Sequence, residues 1–232
     1  MEIRHLTIGG VPTSADGWTL CEWKLSDPAY RKNYLTIPGL DGDLDLSAAL
    51  DDRAVYGSRT LTARLELSEG TRQSRDAIIS RFVNRYDGTK QQIILPDDRA
   101  HYLSGRMSVA VQYSTPAHAC IELTAICDPW RYCKERITLL IDSPNGIDGQ
   151  SDEPNYTETT IINSGRMPSS PLLKAIGGDI LLSADGFYQF TLTAGSQRTI
   201  PDIILRQGEN TLLHCGDGAD AQLRVIWREA IL

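Results

Sequence analysis

Four side chains in the middle of the chain are of the types that hold a metal: His118, Cys120, Cys127 and Cys133. His118 and Cys120 stand two apart in a strand-like run, which aims both to one side, and Cys127 and Cys133 follow from the turn beyond. Their spacings of seven and six residues are not those of zinc ribbons or knuckles, whose paired ligands sit closer together. Small thiols on a strand account for the same residues, because free cysteine favours interiors. No metal and no cofactor is therefore expected.

The search for a nucleophile or a phosphate cradle is equally thin. The chain holds no G-x-S-x-G, no H-E-x-x-H, no G-x-x-x-x-G-K-[ST] and no G-x-G-x-x-G after a strand. Gly216-Asp217-Gly218 reads as a hairpin turn, since no βα pattern surrounds it. Asp142 to Asp148 offers Asp, Asn and Asp near a glycine but lacks the calcium-loop spacing and its closing glutamate. The four histidines show no partner pattern. Trp130, Arg131 and Tyr132 could stack on a sugar, and they equally suit a core or interface anchor. No catalytic residue is assigned.

What remains is a stretch of unusual texture, Ile37-Pro38-Gly39-Leu40-Asp41-Gly42-Asp43-Leu44-Asp45-Leu46-Ser47. Pro38 and Gly39 predict a tight turn, because proline presets φ and glycine accepts the positive φ that follows. Gly42 predicts a second bend. Asp41, Asp43 and Asp45 alternate with Leu40, Leu44 and Leu46, so carboxylates should line one face and leucines the other. Such a stretch suits a shaped edge offered to another surface, and also an ordinary acidic loop.

The elements around it are mostly strands. Residues 3–8 and 18–25 read as two strands, with 33–37 leading into the acidic stretch. Residues 57–68 alternate Leu61, Ala63, Leu65 and Leu67 with Thr60, Thr62, Arg64 and Glu66, the period of a half-buried strand. The period then changes. Ile78, Ile79, Phe82, Val83 and Tyr86 form one stripe of a helix over 71–86, with Arg72, Arg75, Asp76, Arg81 and Arg85 on its polar side. Thr71 or Ser74 can cap its start, and Asp87-Gly88 can end it. Strands follow at 91–95, 101–103, 107–113, 119–127 and 135–141.

Residues 142–154 (DSPNGIDGQSDEP) are dense in Gly, Pro, Ser and Asp and mark a linker or exposed hairpin. Beyond them, short strands are expected at 157–163, 172–176, 179–183, 187–193, 199–205, 211–215 and 222–227, the pattern of a β-sandwich. The expected organisation is an N-terminal domain at 1–141, the linker at 142–154 and a C-terminal sandwich at 155–232. The fold class is mainly β: a sandwich-like domain with one helix, then a second β-sandwich.

Composition limits the partners. Of 232 residues, 41% are hydrophobic and 23% charged, as in globular chains. Thirty acidic against 23 basic residues give a net charge of −7, which argues against a nucleic-acid or anionic-membrane partner. No apolar run approaches the ~20 residues that span a bilayer. The first residues, MEIRHL, lack the layout of a signal peptide, which suits assembly in a cytosol. Five scattered cysteines fit reduced thiols better than a disulfide framework.

Taken in order, these landmarks resemble the distal tail protein (Dit) family of long non-contractile-tailed phages. The resemblance begins at Ile37-Pro38-Gly39-Leu40-Asp41-Gly42, departing at Leu40, where a basic residue is common. It continues through Tyr56-Gly57-Ser58-Arg59-Thr60-Leu61, the single helix, Leu95-Pro96-Asp97-Asp98, Tyr102-Leu103-Ser104-Gly105-Arg106 and Cys127-Asp128-Pro129-Trp130-Arg131-Tyr132. In the second half it rests on Thr160-Ile161-Ile162-Asn163-Ser164-Gly165, Ser170-Pro171-Leu172-Leu173, the run 205–212 and Val225-Ile226-Trp227-Arg228.

The resemblance implies a structural protein of the virion, assembled in the host cytoplasm and sited at the distal end of the tail. It implies a galectin-like C-terminal sandwich and a homo-oligomer, a hexameric ring. The ring's partners would be the tail tube protein, the tail-tip hub or lysin-like protein, and receptor-binding proteins. DNA would only pass through its channel, without sequence-specific binding. In that setting Ile37, Pro38, Gly39, Asp41, Gly42, Asp43 and Asp45 form an assembly loop. An alternative is a carbohydrate-binding module using the C-terminal sandwich, with Phe187, Tyr188 and Trp227 as its large aromatics. A cell-wall hydrolase would need a catalytic frame that no acid pair here supplies.

Overall fold

The computed structural model describes residues 5–48, 54–146, 154–183 and 188–232. They divide into two units, Met1–Arg131 with Leu232, and Tyr132–Ile231. The architecture is mainly β, with a single α-helix among the described residues.

The first unit carries β1 (Thr7–Ile8), β2 (Val11–Pro12), β3 (Thr19–Leu25), β4 (Tyr34–Thr36), β5 (Asp43–Asp45), β6 (Arg59–Leu67), α1 (Arg72–Tyr86), β7 (Lys90–Leu95), β8 (Asp98–Ser114) and β9 (Ala119–Cys127). Its antiparallel sheet runs in the order β2-β1-β7-β8-β9-β6-β3. β4 and β5 stand outside that sheet as a ribbon of their own. In β6 the sequence alternation becomes alternation in burial: Leu61, Ala63, Leu65 and Leu67 are buried, and Thr60 and Thr62 between them are not. Each leucine so buried contributes ~2 kcal/mol.

Helix α1 starts where Thr71 caps it, its side chain accepting from the Ser74 N–H at 3.2 Å. It packs Ile79, Phe82 and Tyr86 onto the sheet's inner face, with Phe82 edge-on to Trp18 at 5.3 Å. The helix departs from expectation at Arg75, which is buried instead of lying on the polar side. Its guanidinium donates to the carbonyls of Gly70, Thr115 and Pro116. The burial thus ties the helix start to the turn between β8 and β9.

A second difference lies at 98–114, where the two strands expected at 101–103 and 107–113 are one continuous strand, β8. Its partners explain the length. β8 pairs with β7 through its first half and with β9 through its second. Gly105 permits this, because a Cβ there would meet Cys127 Sγ at 2.5 Å and the Ile126 carbonyl at 3.0 Å.

β10 (Arg131–Cys133) lies where the division falls. The second unit then holds β11 (Ile137–Asp142), β12 (Thr157–Asn163), β13 (Leu172–Ile176), β14 (Ile180–Ser183), β15 (Gln189–Leu192), β16 (Gln197–Thr199), β17 (Gly208–Gly216), β18 (Gln222–Trp227) and β19 (Ala230–Ile231). Two four-stranded sheets, β11-β18-β13-β16 and β12-β17-β14-β15, close on a core that includes Leu173, Leu182, Leu212, Leu223 and Val225.

Several boundaries move. β11, expected in the first domain, pairs along its whole length with β18 and completes a sheet of the second unit. Of the stretch read as linker, Ser143 is buried and donates its N–H to the Ala221 carbonyl at 2.8 Å. Residues 147–153 lie outside the described residues. The strand expected at 199–205 ends early, since Pro201 cannot donate to a ladder and the Ile203 N–H turns back to the Ile200 carbonyl at 3.1 Å. The Gly216-Asp217-Gly218 turn is no hairpin, because β17 and β18 belong to different sheets.

Candidate functional site

The four side chains of metal-binding type weighed in the sequence do not converge. Cys120 and Cys127 stand seven apart on β9, an odd separation that sends them to opposite faces. Cys127 joins the core, while Cys120 Sγ meets Arg64 Nε at 3.2 Å. His118 precedes the strand and packs edge-on against Tyr113 at 5.4 Å. Among the described residues no group of three His, Cys, Asp or Glu side chains gathers. Cys21, Cys120, Cys127 and Cys215 are not joined in disulfides.

Of the three aromatic residues considered for sugar binding in the C-terminal sandwich, the two described ones do not form a platform. Trp227 is buried in the second unit's core, Tyr188 is exposed, and Phe187 lies outside the described residues. Trp130 proves to be an anchor. It packs edge-on against Tyr56 at 5.9 Å, and Tyr56 does the same to Tyr30 at 6.1 Å.

That file of rings stands at the base of an arm built from residues 29–48 and 54–57. Its two sides are tied by an antiparallel bridge between Tyr30 and Tyr56 and by hydrogen bonds from Arg31 N–H to the Val55 carbonyl and from Gly57 N–H to the Ala29 carbonyl, both 2.8 Å. Buried Arg59 fixes the root, donating from Nε to the Ser26 carbonyl at 3.1 Å. Its pKa is lowered, mostly by burial and also by the Arg131 charge. Arg131 in turn is held by Asp98 at 3.2 Å, whose other oxygen meets His101 at 2.7 Å.

Further out the arm is the β4–β5 ribbon, with Tyr34 opposite Asp45, Leu35 opposite Leu44 and Thr36 opposite Asp43. The Leu40 N–H donates to the Ile37 carbonyl at 3.1 Å, with Gly39 at φ +89°. Proline second and positive-φ glycine third define a type II turn. Gly42 takes φ +81° at the second bend. Thr36 Oγ1 donates to Asp43 Oδ1 at 2.7 Å. Asp45 Oδ1 accepts the Ser47 N–H at 2.8 Å, and hydrogen bonds from the Ser47 hydroxyl and N–H lower its pKa.

The ribbon sorts its residues by face. Tyr34, Thr36, Asp43 and Asp45 share one side, and Leu35 and Leu44 share the other. The alternation read at 43–45 is therefore present, yet Leu44 reaches neither buried core. Leu35 is 49% exposed, Leu44 42% and Leu40 53%. Tyr30, Tyr34, Ile37 and Val55 are exposed as well. Asp41 lies exposed between the two bends. The tyrosines, Leu35 and Val55 are absent from the sequence-predicted set, because they are scattered among polar residues and form no long apolar run.

No family model and no curated protein matches the sequence. Among solved structures, the fold matches the crystal structure of the phage SPP1 Dit protein, described as a paradigm of the hub adsorption apparatus in phages that infect Gram-positive bacteria. The match covers 100% of both chains with a TM-score of 0.63 at 16% sequence identity. The chain thus has a Dit-like fold, from end to end.

Proposed function

We propose that this chain is a structural distal tail protein of a long non-contractile-tailed phage or prophage. In this reading it forms a ring, hexameric by the family resemblance, that joins the tail tube to the tail-tip and host-adsorption apparatus. The galectin-like C-terminal sandwich would face receptor-binding parts. The protein works by being positioned between partners, without catalysis.

The observation that carries the reading is the arm, a two-stranded ribbon that spends seven large apolar side chains on solvent: Tyr30, Tyr34, Leu35, Ile37, Leu40, Leu44 and Val55. A lone ribbon is at best marginally stable in water, and contiguous exposed apolar surface marks an interaction site. A closed ring uses a heterologous interface, one patch meeting a different patch on the neighbour. The apolar side of the arm suits that contact, with Asp41, Asp43 and Asp45 left to water or the channel. The full-length likeness to the Dit fold supports the same role.

Electron microscopy of the purified full chain tests the reading. Rings of uniform diameter with a central hole are expected. A field of single particles of monomer size, at concentrations where tail proteins assemble, would overturn it.

A further inference from the structure

The outer face of the β11-β18-β13-β16 sheet carries charge opposite to that of the whole chain. Register places Leu140, Arg224, Lys174 and Gln197 in one row across it, and Thr138, Ile226, Leu172 and Thr199 in the next. Just beyond the strand ends, Arg136, Arg228 and Ser170 line one groove with Leu172, Thr199 and Ile226 of that row. Four cations therefore share one sheet face in a chain of net charge −7. The strands place one carboxylate there, Asp142, and it accepts a hydrogen bond from Gln222 Nε2 at 2.8 Å.

Two features mark this face as a site. Lys174 and Arg224 are direct cross-strand partners, and like charges so placed destabilise a sheet. Neither meets a carboxylate among the described residues. Beside them lies a groove of about 340 Å³, with Leu172 and Ile226 as floor and Arg136, Arg228, Ser170 and Thr199 among its walls. Arg228 is held in place there by donating from Nη1 to the carbonyls of Cys133 and Lys134.

We infer that this face binds a linear anionic polyol or saccharide chain, one that bears a negative group on each repeat. The guanidiniums and the lysine take the repeating anion. The hydroxyls and Gln197 take the polymer's hydroxyl groups, and the aliphatic floor takes its C–H surface. A nucleic acid fits less well, because sequence-tolerant binding of single strands uses exposed aromatic platforms. Trp227 also lines the groove, but it is buried in the core and offers no exposed ring. The inference stands apart from ring formation, since it concerns one face of one chain.

The test is titration of the full chain, at low salt and followed by amide NMR, with four probes: poly(glycerol phosphate), hyaluronate, neutral dextran and a single-stranded oligodeoxynucleotide. Saturable binding of one or both of the first two is expected, with shifts on β11, β13 and β18 and affinity falling as salt rises. Preference between them assigns phosphate or carboxylate as the anion. The Lys174→Glu/Arg224→Glu variant should weaken binding at least tenfold. Lys174→Gln should weaken it too, with an unfolding midpoint no lower than wild type, because it relieves the like-charge pair. The inference is overturned by binding of neither anionic polymer, by equal binding of dextran, by tighter binding of the oligodeoxynucleotide, or by undiminished binding in folded variants.

Discussion

Leu35 and Leu44 face each other across the β4–β5 ribbon, and neither touches a buried core. A cross-strand leucine pair normally marks the inner side of a sheet, where a second layer covers it. Here the ribbon carries the pair away from the sheet of its own unit. Under the proposed function a partner surface covers them, which makes the arm the centre of that proposal.

The arm's shape depends on two glycines with positive φ and open space around the position of a Cβ. Gly39→Ala and Gly42→Ala should each cost about 1 kcal/mol through backbone conformation alone. Because the ribbon stands outside the main sheet, the loss should be local. Hydrogen exchange should quicken at the Leu40 and Leu46 amides, while the global denaturant midpoint stays within error of wild type.

Arg75 predicts the opposite pattern. Replacing it with Met keeps bulk but strips three carbonyls, those of Gly70, Thr115 and Pro116, of their donor. Hydrogen bonds from charged groups contribute about 1.5–3 kcal/mol each, so the first unit should lose at least about 3 kcal/mol. Urea unfolding followed by tryptophan fluorescence in a Trp227→Phe background, which leaves only first-unit tryptophans, reads this.

The second unit should weaken in acid through His214. The ring is fully buried between Ser143 Oγ at 2.9 Å and Thr159 Oγ1 at 2.8 Å, and burial lowers its pKa below 6.5. Above that value the imidazole is neutral in both folded and unfolded chains, so its contribution is fully present. As pH falls through 6.5 the unfolded chain takes up a proton first, and stability drops by at most about 1.4 kcal/mol per pH unit. The loss continues until the folded pKa is passed. Wild type should lose more stability than His214→Gln between pH 7.5 and 5.5.

Thiol chemistry separates Cys21 from an ordinary exposed cysteine. Desolvation, and then the Glu66 carboxylate, push its pKa up to about 11. Since the thiolate is the reactive form, labelling at pH 8 should be slow despite exposure. Glu66→Gln should quicken it without changing the rate at buried Cys127, which burial also raises to about 11.

Much of the architecture was legible because period and burial are the same information in β6, β9, α1 and β18. The failures have physical causes. Arg75 was misplaced because helical spacing alone cannot show that three carbonyls wait at the helix start. β8 read as two strands because Gly105 interrupts the alternation where the strand changes partner. β11 was assigned to the wrong unit because pairing with β18, distant in sequence, leaves no local mark. For the arm, the Pro38-Gly39 turn and the Asp/Leu alternation at 43–45 were both readable. That Leu35 and Leu44 would remain uncovered was not, since the pattern looks the same whichever surface covers it.

Native mass spectrometry of wild type beside the Leu35→Asp/Leu44→Asp variant tests the central claim most directly. The account predicts a hexamer for wild type and a monomer for the variant, with matching thermal midpoints because the pair lies outside both cores. A wild-type chain that stays monomeric at high concentration, or a variant that assembles as wild type does, would contradict it.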